Sequence, residues 1–210
     1  VHLIHHGFDL SPVRGGSDVR KDDTRNRYLA TNSGPVIGMI CRYIEWKGIA
    51  YGIKAFKDFR NSYPEAHLLL ANAKGPYKAE IQKELELLPS GSYTEIEFEE
   101  DIAALYAIFD IMIHVPIDPH VEAFGQTYVE ALAAGVPSIV TLSGIAHEFI
   151  QDRHNALVVP YRDSDAILEA MNSLMRDSEL RNSIITNGRS SAEQFRLEPF
   201  IEKLKVLYER

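Results

Sequence analysis

Short runs of apolar residues recur along the chain and are separated by stretches with an amphipathic pattern. The apolar runs are rich in leucine or β-branched residues and do not alternate with polar positions. Such runs are typical of strands in a parallel sheet that is buried on both faces. After a strand-like run at the start of the chain, we predict strands at residues 36–41, 66–72, 94–98, 110–115, 138–141 and 156–159.

The stretches between these runs have helical spacing, and proline or glycine marks the joins. The breakers stand at Pro64, Gly75-Pro76, Pro89, Pro137 and Pro160. We predict helices at residues 48–62, 77–88, 101–107, 125–134, 146–151, 164–176, 178–187 and 199–209. Residues 11–33 are polar, contain Gly15-Gly16 and end next to Gly34, so they predict a mobile or irregular connection.

The alternation of strand and helix predicts an α/β domain over residues 1–210, with a doubly wound parallel sheet and helices on both faces. In such sheets the ligand crevice lies beyond the carboxyl ends of the strands. Arg42 follows the strand predicted at 36–41, and the loop that contains Glu122 follows the strand predicted at 110–115. Both therefore fall at the edge where a ligand is expected.

Composition limits the class of partner. The 210 residues suit one large domain or at most two small ones, and a hydrophobic content of 45% is enough for a sizeable core. A net charge of -8 argues against nucleic acid or an anionic membrane surface as the main partner, because both require a basic face. Cations that bind a phosphate must therefore be local and few.

Cys41 is the single cysteine, which excludes an internal disulfide framework and fits a reducing, cytoplasmic compartment. No apolar run approaches the length of about 20 residues that a transmembrane helix needs, and no signal peptide is visible. The chain begins at Val1, inside an apolar run and without an initiator methionine. We expect it to be a piece of a longer protein.

Two carboxylates, Glu122 and Glu130, stand on either side of the predicted start of a helix. The unpaired backbone N–H groups of a helix start favour an anion such as a phosphate. The candidate amides are those of Phe124, Gly125, Gln126 and Thr127. Glu130 lies about 7 Å along the helix axis, where it can accept hydrogen bonds from a ribose, and Glu122 can meet sugar hydroxyls from the loop. Taken alone, the two glutamates fit an alternative equally well, in which Glu122 only stabilises the helix start and Glu130 is a solvated helix residue.

Arg42 and Lys47 are five residues apart across a predicted turn from strand to helix. Lysine followed by Gly48 is unfavourable at a helix start, because the helix dipole disfavours a cation there and glycine is a poor helix former. Both cations can converge on one diphosphate, arginine as a planar fork and lysine as a point charge. An ordinary pair of surface cations is the alternative.

Both segments resemble motifs of the retaining glycosyltransferases of family four, a group 1 family with the GT-B fold. The E-x7-E motif of that family matches at Glu122, Phe124, Gly125, Glu130, Ala131, Ala133, Gly135 and Pro137, and its G-x-x-x-R-x-x-x-x-K-G pattern matches at Gly38, Arg42, Lys47 and Gly48. Ala123 stands where glycine is usual, and Leu132 where methionine is usual. The start of the chain resembles the family's linker strand, with His6 in place of asparagine, and Ser143-Gly144 replaces a usual Gly-Gly.

The resemblance covers essentially the whole chain and implies the C-terminal, donor-binding half of a glycosyltransferase, without the N-terminal acceptor domain. It implies a UDP- or GDP-linked sugar donor and a glycan, lipid or small-molecule acceptor bound by the missing half, which also allows peripheral contact with a membrane. Catalytic roles fall to Glu122, which positions the donor sugar, and to Arg42 and Lys47, which bind the diphosphate. By the same resemblance Glu130 is expected to hold the ribose. We expect the base near Phe98 and Ala73-Lys74, and we expect no metal or other cofactor to be required.

Three histidines occur in the first six residues, at positions 2, 5 and 6. They lack the spacing and the carboxylate or cysteine partners of a metal site, so we predict none there. His114 and His120 flank the loop at Glu122, and one of them is a candidate to contact the sugar. A nucleotide-sugar epimerase of the same fold and a non-catalytic nucleotide-sugar binding module remain as alternative functions. A nicotinamide-dependent dehydrogenase is disfavoured, because no G-x-G-x-x-G follows a strand.

Overall fold

The computed structural model describes residues 4–14, 18–29 and 34–208. Its strands form one sheet in which every neighbouring pair is parallel, in the order β3-β2-β1-β4-β5-β6. The strands are β1 Val36–Ile40, β2 His67–Ala71, β3 Tyr93–Ile96, β4 Ile111–His114, β5 Ser138–Val140 and β6 Leu157–Val158. The doubly wound parallel sheet expected from the apolar runs is confirmed.

Helices connect the strands and cover the sheet. They are α1 Ser11–Arg14, α2 Asp18–Leu29, α3 Ile49–Phe59, α4 Lys78–Leu85, α5 Ile102–Ile108, α6 Gln126–Ala134, α7 Ala146–Phe149, α8 Ser164–Arg176, α9 Ser178–Ala192 and α10 Leu197–Tyr208. Two short 3-10 turns lie at Glu45–Lys47 and Glu193–Phe195. Among the described residues, no helix is both long enough and apolar enough to cross a bilayer.

Alternate residues of each central strand pack into different cores, which is why these strands are almost wholly apolar. In β1, Ile37 and Met39 belong to a core shared with α3 and α8, whereas Val36 and Ile40 belong to a core shared with α5. A strand buried on both faces cannot show a two-residue polar period. Helices therefore cover both faces of the sheet, as predicted.

The order of the strands reverses direction between β1 and β4, which are neighbours in the sheet although two strands separate them in the chain. Their register pairs Ile37 with Ile111 and Gly38 with Met112. The carboxyl ends of both strands therefore meet at the topological switch point, where open α/β sheets bind ligands. The loops that begin at Cys41 and Val115 start there.

The prediction of an irregular connection over residues 11–33 is wrong for the residues that the structure describes. Within this range, Ser11–Arg14 form α1 and Asp18–Leu29 form α2. Residues 15–17 and 30–33 lie outside the described ranges. Although the sequence of α2 is strongly polar, hydrogen bonds from its side chains to other parts of the chain hold this helix in place. Arg20 Nε donates a 2.8 Å hydrogen bond to Asp101, and the Tyr28 hydroxyl donates to Glu99. Polar contacts of this kind leave no hydrophobic period in the sequence.

Two smaller predictions also change. The strand-like run at the start of the chain falls partly on residues 1–3, outside the described ranges, and residues 4–10 add no strand to the sheet. Only Phe8 forms a bridge, with backbone hydrogen bonds to Phe195 and Leu197. Helix α9 continues to Ala192 rather than ending at residue 187, because its last turns pack against α6.

Candidate functional site

The segment after β1 turns sharply at Gly48, which explains the unfavourable Lys-Gly pair. Gly48 has a left-handed backbone with φ of 69°, and a Cβ added to it would lie 1.9 Å from the carbonyl oxygen of Val115. The amide of Ile117 donates a 3.0 Å hydrogen bond to the Trp46 carbonyl. The turn that carries Lys47 is therefore pressed against the loop that follows β4.

Lys47 and Glu122 meet across these two loops. Lys47 Nζ donates a hydrogen bond to Glu122 Oε1, and both side chains are largely buried. His114, the last residue of β4, places Nε2 3.3 Å from the same oxygen, although the contact lacks the geometry of a hydrogen bond. Two nitrogens from different strand ends thus converge on one carboxylate oxygen.

Burial and charge act in opposite directions on this cluster. Burial raises the pKa of Glu122, but His114 and Lys47 lower it more, and the net pKa is about 2. Burial lowers the pKa of His114 from its ordinary value, against the opposing effect of the Glu122 carboxylate. At neutral pH the cluster therefore contains an ionised glutamate, a lysine and a neutral imidazole.

The backbone around Glu122 is also fixed. Its amide donates a 3.2 Å hydrogen bond to Ser143 Oγ, and the amide of Gly144 donates a 3.0 Å bond to the Pro119 carbonyl. A Cβ at Gly144 would lie 2.7 Å from the Glu122 carbonyl oxygen. The Ser143-Gly144 turn therefore supports the loop from behind, although the usual first glycine is a serine.

Helix α6 starts after Gly125, whose φ of 82° is left-handed and which offers no side chain to cap the helix. The four amides proposed for an anion are those of Phe124, Gly125, Gln126 and Thr127. None of them donates a hydrogen bond to a described residue. Free amides at a helix start, together with the positive end of the dipole, form a ready site for an anion.

Glu130 lies one turn into α6 and has two partners of its own. Its Oε1 accepts a 2.7 Å hydrogen bond from Gln126, and its Oε2 accepts a 3.0 Å bond from the buried Tyr106 hydroxyl. Burial raises the pKa of Glu130, against the effect of these two donors. The carboxylate is thus held by α5 and α6 and is not a freely solvated side chain.

Phe124 differs from the other predicted binding residues. Its ring packs against Phe8 and Phe195, with centroid distances of 5.2 and 5.7 Å, and the His6 ring meets its edge at 5.8 Å. The side chain therefore anchors the loop to the start and the end of the chain. Only the Phe124 amide remains available to a ligand.

Arg42 has no side-chain partner among the described residues, and it is exposed. Beside it lies the segment after β2, because the amide of Tyr43 donates a 2.9 Å hydrogen bond to the Lys74 carbonyl. Phe98 is 70% exposed, and Lys74 Nζ lies 5.8 Å from the centre of its ring. Lys74 and Phe98, which are expected to bind the base, thus form an open surface at the same edge of the sheet.

Sequence reasoning missed the role of two residues. From the sequence, His114 was only a candidate to contact the sugar, and Tyr106 was not singled out. The signal for His114 was its position, since a histidine that ends a wholly apolar strand must find a polar partner or remain unpaired. Tyr106 gave no such signal, because its link to Glu130 joins two helices. Within the described ranges, no cluster of three or more metal-ligating side chains is present.

A family model described as glycosyl transferases group 1 matches residues 20–191. Alpha-monoglucosyldiacylglycerol synthase of Acholeplasma laidlawii is 23% identical over 98% of this chain and 52% of its own length. A GDP-mannose-dependent phosphatidylinositol monomannoside mannosyltransferase of Mycolicibacterium smegmatis is 29% identical over 79% of this chain and 44% of its own. The chain thus spans about half the length of these relatives.

Solved structures share the fold. Anabaena HepE, crystallised with UDP-glucose, superposes with a TM-score of 0.88 at 22% identity and covers 100% of this chain and 57% of its own. The C-terminal domain of a glycosyl transferase group 1 family protein from Francisella tularensis gives a TM-score of 0.74 at 25% identity, over 88% of this chain and 96% of its own.

Proposed function

The chain belongs to the glycosyl transferases group 1 family, and on that premise we propose that it is the donor-binding, C-terminal domain of a retaining glycosyltransferase. The observation that carries this proposal is the convergence at the switch point. Lys47 and Glu122 are in contact there, and the same loop leads to the free amides at the start of α6. Cation, carboxylate and helix start suit the two ends of a nucleotide diphosphate sugar.

The donor would lie with its diphosphate between Arg42, Lys47 and the amides of residues 124–127. Its ribose would contact Glu130, and its base would contact Lys74 and Phe98. The UDP-glucose named with the Anabaena structure and the GDP-mannose named for the Mycolicibacterium enzyme support a donor of this class. Either base is compatible with an exposed aromatic ring and a lysine.

The proposed reaction breaks the bond between the anomeric carbon and the diphosphate oxygen, and the electron pair leaves with the diphosphate. The acceptor hydroxyl forms the new bond on the same face of the sugar and gives up its proton to the departing diphosphate. Negative charge grows on the departing diphosphate, so Arg42, Lys47 and the α6 amides stabilise the transition state more than the ground state. Glu122, which is ionised and fixed, positions the sugar and stabilises positive charge near the anomeric carbon.

The acceptor, a glycan, lipid or small molecule, would bind to a second half of the protein. The length of the relatives supports this division, because the matched region is about half of each. The Francisella domain supports it too, since a C-terminal domain of the same family nearly coincides in extent with this chain. Transfer is then expected only from the joined halves.

The test is calorimetric titration of the chain with UDP, UDP-glucose, GDP, GDP-mannose and the nucleosides uridine and guanosine. We expect binding to one of the two diphosphate series. Arg42→Ala and Lys47→Ala should each weaken it by about 1.5–3 kcal/mol, the usual worth of a hydrogen bond between charged groups, and should change nucleoside binding less. Lys57→Ala is the matched control, because Lys57 is exposed near the opposite end of α3.

Three results would count against the proposal. Equal losses for nucleotide and nucleoside would separate Arg42 and Lys47 from the diphosphate. If a chimera with the acceptor half of a relative binds the nucleotide sugar but transfers nothing to any acceptor, a non-catalytic binding module is the better description. Release of an epimerised donor sugar without an acceptor would instead indicate an epimerase.

A further inference from the structure

His114 occupies an unusual position for a buried histidine. Its side chain is 3% exposed, and its Nε2 has no hydrogen bond to a described residue. Its ring lies nearly perpendicular to the ring of Tyr128, at a centroid distance of 4.6 Å. The nearest charged atom is Glu122 Oε1 at 3.3 Å. Buried nitrogens are rarely left unpaired in native proteins, and those that are call for a functional explanation.

The oxygen that His114 faces is already engaged by Lys47. Glu122 Oε1 accepts the Lys47 hydrogen bond, whereas no hydrogen bond from a described residue reaches Oε2. One oxygen of the carboxylate is thus crowded by two nitrogens, and the other is left for a ligand. A diphosphate that engages Lys47 would compete with Glu122 for the ammonium group.

Glu122 cannot lose that ammonium group without a replacement. Its side chain is only 9% exposed, and a buried carboxylate without a partner is strongly destabilised. His114 is the neighbouring group that can supply a second N–H to the same oxygen. A small movement of the imidazole would convert the 3.3 Å contact into a hydrogen bond.

We propose that His114 is a positioning residue for Glu122, which takes up a proton when a bound diphosphate engages Lys47 and thereby holds Glu122 in place with Oε2 directed to the donor sugar. This inference rests on the proposed function, because it requires a diphosphate at Lys47. It adds a proton-linked step to donor binding, in which the imidazole gains one proton from solvent.

The charges around the ring support this direction of proton transfer. Glu122 faces His114 from the loop after β4, Lys47 from the turn after β1 and Tyr128 from α6, while the buried thiol of Cys41 lies near Lys47 and Glu122. Burial and Lys47 lower the pKa of His114, whereas Glu122 raises it. An anion that offsets Lys47 removes one of the two lowering effects and so raises the pKa of His114.

The sign of the pH dependence follows. Because the ligand favours protonated His114, the affinity for the nucleotide sugar should be highest below the pKa of His114 in the free protein. It should fall as pH rises through the higher pKa of the complex. The diphosphate of a nucleotide sugar has no proton to release near neutral pH, so uptake by the protein can be measured without interference from the ligand.

The experiment compares the wild-type chain with His114→Gln and His114→Phe. Glutamine can donate a hydrogen bond to Glu122 but cannot carry a proton, whereas phenylalanine keeps the ring that packs on Tyr128 and has neither ability. The probes are UDP with UDP-glucose and GDP with GDP-mannose, and the pair that the wild-type chain binds more tightly is used for the variants. Titrations in buffers with different ionisation enthalpies give the number of protons taken up.

We expect the wild-type chain to take up a fraction of a proton with the nucleotide sugar and both variants to take up less. His114→Phe should lower the affinity for the nucleotide sugar by about tenfold relative to the nucleotide diphosphate, as for the loss of a hydrogen bond to a charged group. His114→Gln should restore part of that ratio. The affinity for the nucleotide diphosphate should fall less, because only the nucleotide sugar also contacts Glu122 Oε2. Cooperative thermal unfolding of each variant shows that it is folded.

The inference is overturned if the wild-type chain takes up no proton, if uptake persists in both variants, or if His114→Phe leaves the affinity ratio unchanged. Failure of the proposed function has a different signature. In that case the wild-type chain binds neither diphosphate series, or Lys47→Ala has no effect on binding, whatever residue stands at position 114.

Discussion

At the level of single residues, the site depends on two glycines that each lie so close to a backbone carbonyl that no side chain would fit. Gly48 admits the Val115 carbonyl, and Gly144 admits the carbonyl of Glu122. Both contacts are backbone contacts, so neither can be relieved by a change of rotamer. The positions of Lys47 and Glu122 are therefore set by glycines that have no chemical role themselves.

Gly48→Ala should destabilise the chain far more than Gly91→Ala. Both glycines have a left-handed φ, 69° and 75°, but only Gly48 has an atom within reach of an added Cβ. The left-handed conformation costs an alanine about 1–2 kcal/mol at each position, and the clash with Val115 should raise the cost at Gly48 to about 3 kcal/mol or more. Urea denaturation of both variants measures this difference, and equal losses would show that the loop can move aside.

The ion pair at Glu122 should make stability depend on pH at the acid end. The pKa of Glu122 is lowered from 4.5 to about 2, so its contribution is fully present above the unfolded pKa and is lost as pH falls from 4.5 towards 2. The contribution is about 3 kcal/mol at most. The free-energy difference between wild type and Glu122→Gln should therefore shrink on acidification.

The measurement is urea denaturation of both proteins from neutral pH to the acid limit of the folded state. Lys47→Met serves as the matched variant, because it keeps an unbranched apolar stem and removes one cation from Glu122. It should flatten the dependence on pH. A difference between wild type and Glu122→Gln that stays constant with pH would contradict the assigned ion pair.

At the scale of elements, β1 is both a core strand and the support of Arg42 and Lys47. Its middle residue, Gly38, faces Phe109 at the end of α5, and an added Cβ would lie 2.3 Å from that ring. The glycine therefore lets α5 sit close to the sheet. Since Asp110 of the same segment accepts a 2.8 Å hydrogen bond from the Val36 amide, this packing also aligns β4 with β1.

Gly38→Ala should cost about 1–3 kcal/mol, the usual range for overpacking a core. Phe109→Leu leaves room at the same place, so Gly38→Ala should cost less in that background. A double-mutant cycle by chemical denaturation gives the interaction, which we expect to be about 0.5–3 kcal/mol. Additive losses would mean that the added methyl group is accommodated elsewhere.

At the scale of the whole molecule, the strand order decides where a ligand can bind. The chain carries a net charge of -8, yet an exposed arginine and a lysine lie at the one edge where β1 and β4 end side by side. An anion is therefore attracted locally to an otherwise acidic surface.

Addition of the nucleotide sugar should protect amides at the carboxyl edge of the sheet from hydrogen exchange. We expect slower exchange at residues 41–48 and 124–127, where the diphosphate would bind. Residues 86–92, which precede β3 at the amino edge, serve as the internal control and should not change. Protection spread evenly over both edges would indicate general stabilisation, and protection at the control alone would place the ligand elsewhere.

Local patterns in the sequence were enough to predict six strands, most of the helices and the segments that carry the candidate site. Apolar periodicity, breakers and the spacing of Arg42, Lys47, Glu122 and Glu130 are local properties of the chain. The folded structure was needed to show that Lys47 and His114 share one oxygen of Glu122, that Tyr106 holds Glu130, and that Phe124 packs in an aromatic cluster. It also decided that α2 is a helix. These contacts join residues far apart in the chain, and their geometry depends on the strand order, which a local pattern does not encode.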